Sequence, residues 1–201
     1  MSFVLATVPV RGTRGATISP HDDFEGLLRG ARAGEDEAWA RIYADLAPPL
    51  LGYLRGRGAP DPEDVLGEVM LQVVRRLDTF EGDEAGFRSW VFTIAHNRLI
   101  DLRRARSRRP EELVPHETLE PELPSVENES EALARLGTDE VVALLDRLTD
   151  DQREVLLLRL VAGLQLAEIA EVTGRPRQAV KSLQKRGIEQ LRRLAGVRYV
   201  E

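Results

Sequence analysis

The sequence of 201 residues contains no cysteine, which excludes disulfide bonds and thiolate chemistry. This absence fits a reducing compartment, and we expect a cytoplasmic protein. Aromatic residues make up only 5% of the chain, a low share that suits small helical bundles. No apolar run approaches the roughly 18 residues of a membrane span, so we predict no insertion into a membrane.

Side chains that carry metal or acid-base chemistry are scattered. The three histidines lie far apart in dissimilar contexts, at His21, His96 and His116. The carboxylates of Glu63, Asp64 and Glu68 are close in sequence, but they lack the Glu-x-x-His partner of a di-metal bundle. No phosphate-binding loop is present. The sequence therefore predicts no metal site, no cofactor and no enzymatic activity.

The net charge of −6 conceals a very uneven distribution along the chain. Residues 98–109 hold six arginines and one aspartate, a net charge of +5, and residues 175–193 hold seven basic residues and one glutamate, a net charge of +6. Between them, residues 110–140 hold ten acids and one arginine, a net charge of −9. Two basic patches separated by an acidic segment predict two contacts with DNA, although either patch alone could be a solvated helix face.

Helical periodicity dominates the sequence, with no convincing alternating strand, so we predict an all-α protein. The expected helices cover about 23–33, 35–55, 61–78 and 85–106. Pro48 and Pro49 should break or kink the second of them. The third should start at an Asp61 cap with Pro62 in its first turn, and a capping box at 149–152 should start a later helix. The side chains expected to face the core are Val65, Leu66, Val69, Met70, Val73 and Leu77 of the third helix and Phe87, Trp90, Val91, Ile94, Ala95 and Leu102 of the fourth. Prolines and glutamates then prevail until helices resume near residue 138. The predicted parts are a disordered tail (1–22), a helical domain (23–108), a flexible acidic linker (109–137) and a second helical domain (138–201).

Residues 166–182 have the pattern of a helix-turn-helix. Ala170 is small enough for a second helix to cross close above it, and Gly174 stands where the turn needs a residue that tolerates positive φ. Val180 is the apolar residue expected to hold the second helix against the first. The polar side chains of that second helix are Arg177, Gln178, Lys181, Ser182, Gln184, Lys185 and Arg186. A recognition helix presents side chains of this kind to a major groove.

Two sets of motifs resemble a known family. Residues 64–73 read DVLGEVMLQV and residues 87–106 read FRSWVFTIAHNRLIDLRRAR. Residues 148–159 read LTDDQREVLLLR and are followed by EIA at 168–170 and VKS at 180–182. The first set resembles the second conserved region of bacterial RNA polymerase sigma factors, in the form of the small extracytoplasmic-function (ECF) group of the sigma-70 family, and the second set resembles their fourth region. Two signatures in this order are far more specific than a lone helix-turn-helix.

The resemblance implies a fold and a set of partners. It implies a sigma region 2 four-helix bundle and a sigma region 4 helix-turn-helix, joined by the flexible acidic linker. Such proteins bind core RNA polymerase, at the clamp coiled coil of its largest subunit and at its flap tip. The first domain melts the minus-ten element of promoter DNA, and the second reads the minus-thirty-five element as duplex. An anti-sigma factor is a further implied partner.

The resemblance also assigns site residues. The expected polymerase-binding face of the third helix comprises Asp64, Glu68, Leu71, Gln72 and Arg75, which periodicity alone would allow to be merely solvated. The candidates for the minus-ten element are Phe80, Arg88, Trp90, Asn97, Asp101, Arg103, Arg104 and Arg106. Of these, Trp90 stands at a helical spacing that predicts burial in the core. Asp101 could form an ion pair with Arg98 or Arg104 instead of contacting DNA. The candidates for the minus-thirty-five element are Arg175, Arg177, Gln178, Lys181, Ser182, Lys185 and Arg186.

The chain departs from the family pattern at four places, one of which is Met70, where members often carry Phe. Gly67 stands where the family usually has Gln, and a glycine inside a helix costs about 1 kcal/mol relative to alanine. Leu183 stands where many members carry Arg, and we expect it in the hydrophobic core. Gln178-Ala179 replaces the frequent Gly-Thr. The last two changes bear on which DNA sequence is read.

A stand-alone dimeric helix-turn-helix regulator is the alternative function. Such a regulator would need a dimerisation or ligand-sensing domain and would bind palindromic sites. The amino-terminal half of this chain predicts instead a small bundle that ends in arginines. Association with core polymerase would distinguish the two functions.

Overall fold

The computed structural model of the protein describes residues 22–107 and 144–194. All regular elements in these two stretches are helical, as the sequence predicts. The first stretch contains α1 (Asp22–Arg32), α2 (Asp36–Gly56), α3 (Pro62–Arg76), a 3-10 turn (Leu77–Thr79) and α4 (Glu84–Ser107). The second contains α5 (Asp150–Leu160), α6 (Leu166–Thr173) and α7 (Arg177–Leu194). The predicted linker and nearly all of the predicted tail lie outside the described residues.

Helices α1 to α4 form the first domain around an apolar core. The predicted stripe of α3 is buried in full: Val65, Leu66, Val69, Met70, Val73 and Leu77. On α4, Phe87, Val91, Ile94 and Ala95 are buried as predicted. Trp90 and Leu102 are partly buried and pack against the edge of the same core. The helical spacing of apolar residues therefore identified the inner faces of both helices.

Helix α2 runs without interruption through Pro48 and Pro49, so a break there is wrong, and a kink at this point stays a prediction. A proline inside a helix removes a backbone hydrogen bond and crowds the preceding turn, at a cost of about 3 kcal/mol. The same helix buries Leu46, Leu50 and Leu54 on either side of the prolines. Each such side chain contributes about 1.5–3 kcal/mol when it leaves water. Tertiary packing thus outweighs the local preference against a helix.

The helix starts follow their sequence signals to different degrees. At α5, the side chain of Thr149 accepts from the backbone of Gln152, whose own side chain accepts from the backbone of Thr149, so the capping box is complete. At α3, Pro62 occupies the first turn and Asp61 the N-cap position. The Asp61 side chain makes no capping hydrogen bond, so the expected Asp cap is wrong. The start of α3 is stabilised instead by Pro62 and by the acidic residues of its first turn, which lie at the positive end of the helix dipole.

The two domains pack against each other. Helix α4 contacts α6, and α2 contacts α5, so that one cluster of buried residues continues from the first domain into the second. Within this contact lies a buried carboxylate, that of Glu154 on α5. The sequence predicts two domains, but nothing in its periodicity indicates that they touch.

Candidate DNA and polymerase interfaces

Helices α6 and α7 form the predicted helix-turn-helix. Gly174 follows α6 in the left-handed conformation, with φ of 65°, and the N–H of Arg175 donates to the carbonyl of Ala170 at 3.1 Å. Val180, one turn into α7, is fully buried. The predicted roles of the glycine and the valine are therefore confirmed, and together they fix the angle at which α7 leaves the turn.

One side of α7 is a polar and basic stripe. The exposed residues on this side are Arg177, Gln178, Lys181, Lys185 and Arg186, with Ser182 half-buried among them. These positions recur every three to four residues and so share one face of the helix. The opposite side packs on α5, where Gly187 is buried against Leu156. The stripe can therefore offer charged and amide groups to phosphates and base edges.

Arg175 stands apart from this stripe. Its guanidinium lies 2.6 Å from a carboxylate oxygen of Asp151 at the start of α5, and its side chain is partly buried. In this arrangement Arg175 braces the turn of the helix-turn-helix against α5. A contact between Arg175 and DNA stays a prediction, and it would require this ion pair to open.

The predicted polymerase-binding residues share the outer face of α3. Asp64, Glu68, Leu71 and Arg75 are exposed, and Gln72 is half-buried. The Leu71 side chain is unusual for an apolar residue because 56% of its surface is exposed. A face that combines carboxylates, an arginine and an exposed leucine suits a protein partner better than DNA, because phosphates repel carboxylates.

Glu68 on this face is fixed by α4. Arg98 donates to both of its carboxylate oxygens, from Nε at 2.5 Å and from Nη2 at 3.0 Å. Two parallel bonds of this kind hold a carboxylate in one orientation. Arg98 therefore links the candidate polymerase face to the helix that carries the candidate minus-ten residues.

The loop before α4 is closed over an aromatic cluster. The ring centroid of Phe80 lies 5.2 Å from that of Phe87 and 5.3 Å from that of Trp90. Phe80 is buried, and Arg32 of α1 holds the loop by donating to the carbonyl of Phe80 at 2.5 Å. Stacking of Phe80 on a DNA base stays a prediction that requires the ring to leave this cluster. Trp90 is only half-buried and lies at its edge.

Most other minus-ten candidates lie on the exposed side of α4. Asn97, Asp101 and Arg104 are exposed and share one side of the helix, whereas Arg106 is exposed on another side. Asp101 is 3.9 Å from Arg104, so it pairs loosely with one of the two arginines that the sequence suggested. A contact between Asp101 and DNA remains open, because 3.9 Å between exposed groups is a weak ion pair.

Two minus-ten candidates are engaged elsewhere. Arg88 lies 2.5 Å from a carboxylate oxygen of Asp45 on α2. Arg103 reaches the second domain, where its Nη1 is 3.3 Å from a carboxylate oxygen of Asp150. Both arginines would have to leave or share these partners in order to bind a phosphate.

Neither a metal centre nor a membrane span is found in the parts of the chain that the structure describes. Over residues 22–107 and 144–194, no group of three or more His, Asp or Glu side chains is placed to hold a metal ion. None of the helices described is both long and apolar enough to cross a membrane.

Comparison with known protein families decides the assignment of this chain. The family model for Sigma-70 region 2 matches residues 42–109, and that for Sigma-70, region 4 matches residues 144–193. An ECF RNA polymerase sigma factor of Cereibacter sphaeroides, RpoE, is 32% identical over 87% of this chain and 96% of its own length. The chain belongs to the ECF group of the sigma-70 family. Its relatives and its two sigma regions support a function in promoter recognition, and no comparison supports a dimeric regulator.

Other relatives of this sigma factor agree. The ECF sigma factor BldN of Streptomyces coelicolor is 32% identical over 84% of this chain, which spans 64% of BldN. Among solved structures, CnrH in complex with the cytosolic domain of CnrY matches at 24% identity, with a TM-score of 0.60 over 86% of this chain and 97% of CnrH. The sigma factor RpoE of Bartonella quintana, in complex with the anti-sigma factor NepR, matches at 20% identity with a TM-score of 0.62, covering 80% of this chain and 98% of that one. These two likenesses show the shared fold.

Sequence reasoning missed several residues that shape the interfaces of this sigma factor. Arg32 holds the loop before α4 from 48 positions away, and Asp45 holds Arg88 from 43 positions away. Val74, beside Leu71 on α3, is 49% exposed and adds to the apolar part of that face. The spacing of Val74 off the buried stripe could have revealed it, whereas no local signal marks the two long-range pairs.

Proposed function

We propose that this sigma factor binds core RNA polymerase through α3 and recognises promoters with two separate DNA faces. Helix α7 reads the minus-thirty-five element as duplex, and α4 with the preceding loop engages and helps to melt the minus-ten element. The observation that carries this proposal is the presence of one exposed basic face on each of the two sigma regions. On this proposal the chain is a non-enzymatic initiation factor that acts with polymerase in the cytoplasm.

At the minus-thirty-five element, α7 supplies both kinds of contact that duplex recognition needs. Arg186 and Lys185 are long cations that can reach phosphates or the acceptors of guanine, and Gln178 can pair with adenine. Leu183 is partly buried against the core, so it does not extend into the groove. The stripe therefore reads DNA mainly through Gln178, Lys181, Lys185 and Arg186.

At the minus-ten element, the exposed residues of α4 combine one amide with arginines near the end of the helix. Asn97 can donate and accept at the edge of an unpaired base, whereas Arg104 and Arg106 suit phosphates. The edge of Trp90 offers a ring on which an unstacked base could lie. Because phosphate contacts depend strongly on salt, Arg104 and Arg106 set affinity more than sequence preference.

The α3 face is the proposed contact with the clamp coiled coil of the largest polymerase subunit. Leu71 and Val74 give this contact an exposed apolar centre, and the charged groups around them give it a polar rim. Helix α5 and the segment before it are the proposed contact with the flap tip. An anti-sigma factor is a further proposed partner, because the solved relatives CnrH and RpoE of Bartonella quintana were each determined in a complex.

Run-off transcription with core polymerase on a promoter library tests this function. The wild-type chain should co-elute with core polymerase and select a defined set of promoters. The double change Lys185→Ala and Arg186→Ala should reduce transcription from the selected promoters by about tenfold or more, because each good base contact contributes about 1–3 kcal/mol. Arg29→Ala with Arg41→Ala removes the same charge from exposed positions of α1 and α2, outside the proposed interfaces, and should have little effect. Tight binding to palindromic DNA without polymerase would refute the sigma mechanism in favour of the dimeric regulator.

A further inference from the structure

A buried carboxylate of the second domain has its partners in the first domain. Glu154 on α5 is 3% exposed. Its Oε1 atom lies 2.9 Å from Nδ1 of His96 and 3.2 Å from Nη2 of Arg57, and it accepts a hydrogen bond of 3.4 Å from the hydroxyl of Tyr53. All three partners belong to α2, to the residue that follows it, or to α4. Separation of the domains would therefore remove these partners together.

Two arginines extend this contact to the first turn of α5. Arg57 donates from Nη1 to the backbone carbonyl of Asp150 at 2.8 Å. Arg103 reaches the carboxylate of Asp150 from Nη1 and donates from Nη2 to the carbonyl of Arg57 at 3.2 Å. Arg103 is also a candidate to hold phosphate at the minus-ten element. While its Nη1 pairs with Asp150 of the second domain and its Nη2 donates to Arg57 of the first, both groups are withheld from DNA.

The apolar part of the contact depends on two glycines of α2. A Cβ atom added to Gly56 would lie 2.7 Å from Cδ2 of Leu157, and one added to Gly52 would lie 3.0 Å from Cγ1 of Val161. The two glycines are one helical turn apart, so they face the second domain together. Their lack of side chains allows α2 and the end of α5 to approach closely.

The two domains, packed together, are too short to contact both promoter elements at once. The minus-thirty-five and minus-ten elements lie roughly 25 base pairs apart, or about 85 Å of B-form DNA at 3.4 Å per base pair. A compact body of 201 residues is only about 40 Å across. The 36 residues of the segment 108–143, which joins the described stretches, can span at most about 120 Å. The length of the chain therefore permits the separation that binding to both elements demands.

We propose that Glu154, together with Tyr53, Arg57 and His96, forms an intramolecular latch. This inference rests on the proposed function. The latch holds the second domain against α4 in the free chain, and it must open before both promoter elements can be bound. The Nε of Arg57 is buried and has no hydrogen-bond partner among the described residues, which weakens the closed state. The apparent affinity for polymerase and promoter is then lowered in proportion to the fraction of open molecules.

Fluorescence energy transfer in the full-length chain tests the latch. Because the chain has no cysteine, Glu37→Cys on α2 and Ala167→Cys on α6 provide two unique and exposed labelling sites. Glu154→Gln removes the charge at nearly constant shape, and Gly56→Ala adds one methyl group that collides with Leu157. The matched controls are Glu171→Gln, an exposed carboxylate of the second domain, and Gly26→Ala, where an added Cβ would meet nothing within 4 Å.

Both latch variants should lower the transfer efficiency and tighten binding to core RNA polymerase, while the controls change neither. Loss of one partner of a buried ion pair should shift the closed-to-open ratio at least about tenfold. Unchanged transfer in both variants would overturn the latch, as would lower transfer with unchanged polymerase affinity. Gly56→Ala keeps the test decisive if Glu154→Gln fails to fold. Absence of run-off transcription by the wild-type chain would instead refute the proposed function.

Discussion

Gly67 in the middle of α3 allows a stability change to be predicted with both sign and size. It is exposed, and a Cβ atom added there would meet no heavy atom within 4 Å. It is not among the glycines with positive φ, so alanine can adopt its backbone conformation without strain. Glycine inside a helix is less favourable than alanine by about 1 kcal/mol, largely because the unfolded chain gains freedom. Gly67→Ala should raise the free energy of unfolding of the first domain by about 0.5–1 kcal/mol.

Gly187 in α7 is the matched case in which the same substitution should have the opposite effect. The gain in helix propensity is similar, but the added Cβ would lie 2.9 Å from Cδ1 of Leu156 and 3.4 Å from Cβ of Gln152. Leu156 is fully buried and has little room to retreat. Overpacking of this kind costs about 1–3 kcal/mol, which offsets the propensity gain. Gly187→Ala should therefore leave the second domain unchanged or destabilise it by up to about 2 kcal/mol.

Urea denaturation of the full-length chain measures both changes. The protein has two tryptophans, Trp39 and Trp90, and both lie in the first domain. Tryptophan fluorescence therefore follows the first domain, and circular dichroism follows the helices of both. A gain of about 1 kcal/mol shifts a urea midpoint by about 0.3–1 M. A lower fluorescence midpoint for Gly67→Ala, or equal gains for both variants, would refute the reasoning that space around the Cβ decides the sign.

Two further predictions concern the second domain and its contact with the first. Gly174→Ala should destabilise the helix-turn-helix by about 1 kcal/mol in thermal unfolding, because alanine resists the left-handed conformation that Gly174 adopts; an unchanged midpoint would contradict this. Although burial opposes ionisation of Glu154, the hydrogen bond with His96 and the charge of Arg57 hold its pKa below the ordinary value of 4.5. The charged groups and titratable side chains facing this carboxyl are Tyr53, Arg57, His96 and Arg175. The contribution of the carboxylate to domain closure is thus present above about pH 4.5 and is lost as the pH falls through the depressed pKa. Energy transfer in the wild type should therefore fall toward that of Glu154→Gln in acid, and a difference that persisted there would contradict the assignment.

Patterns within single helices gave reliable predictions of local structure. The stripe from Val65 to Leu77, the capping box at Thr149 and the left-handed turn at Gly174 are all set by neighbours within a few residues. Such features depend on helical spacing and on the conformational range of one residue, which the sequence displays directly. The family motifs identified the two sigma regions for the same reason, because each motif is a short continuous stretch of sequence. The roles of individual site residues remain proposals.

Features that depend on distant partners could not be predicted in this way. The continuity of α2 through Pro48 and Pro49 depends on a core assembled from several helices. The partners of Arg103 and Arg175 depend on where α5 lies, and the burial of Phe80 depends on the rings of α4. In each case the local sequence pattern predicts a different outcome. The contacts that decide the structure form only when elements far apart in the chain meet.

The sequence by itself determined the helices, the two sigma regions and the basic character of their proposed DNA faces, because these follow from short-range periodicity and from charge along the chain. Only the tertiary structure decided that the domains close on each other around Glu154. In sequence, Glu154 is one more acid in the first turns of a helix, where solvent would be its usual surrounding. Its burial arises because Tyr53, Arg57 and His96, which come from 58 to 101 positions away, supply hydrogen bonds and charge at a single point in space.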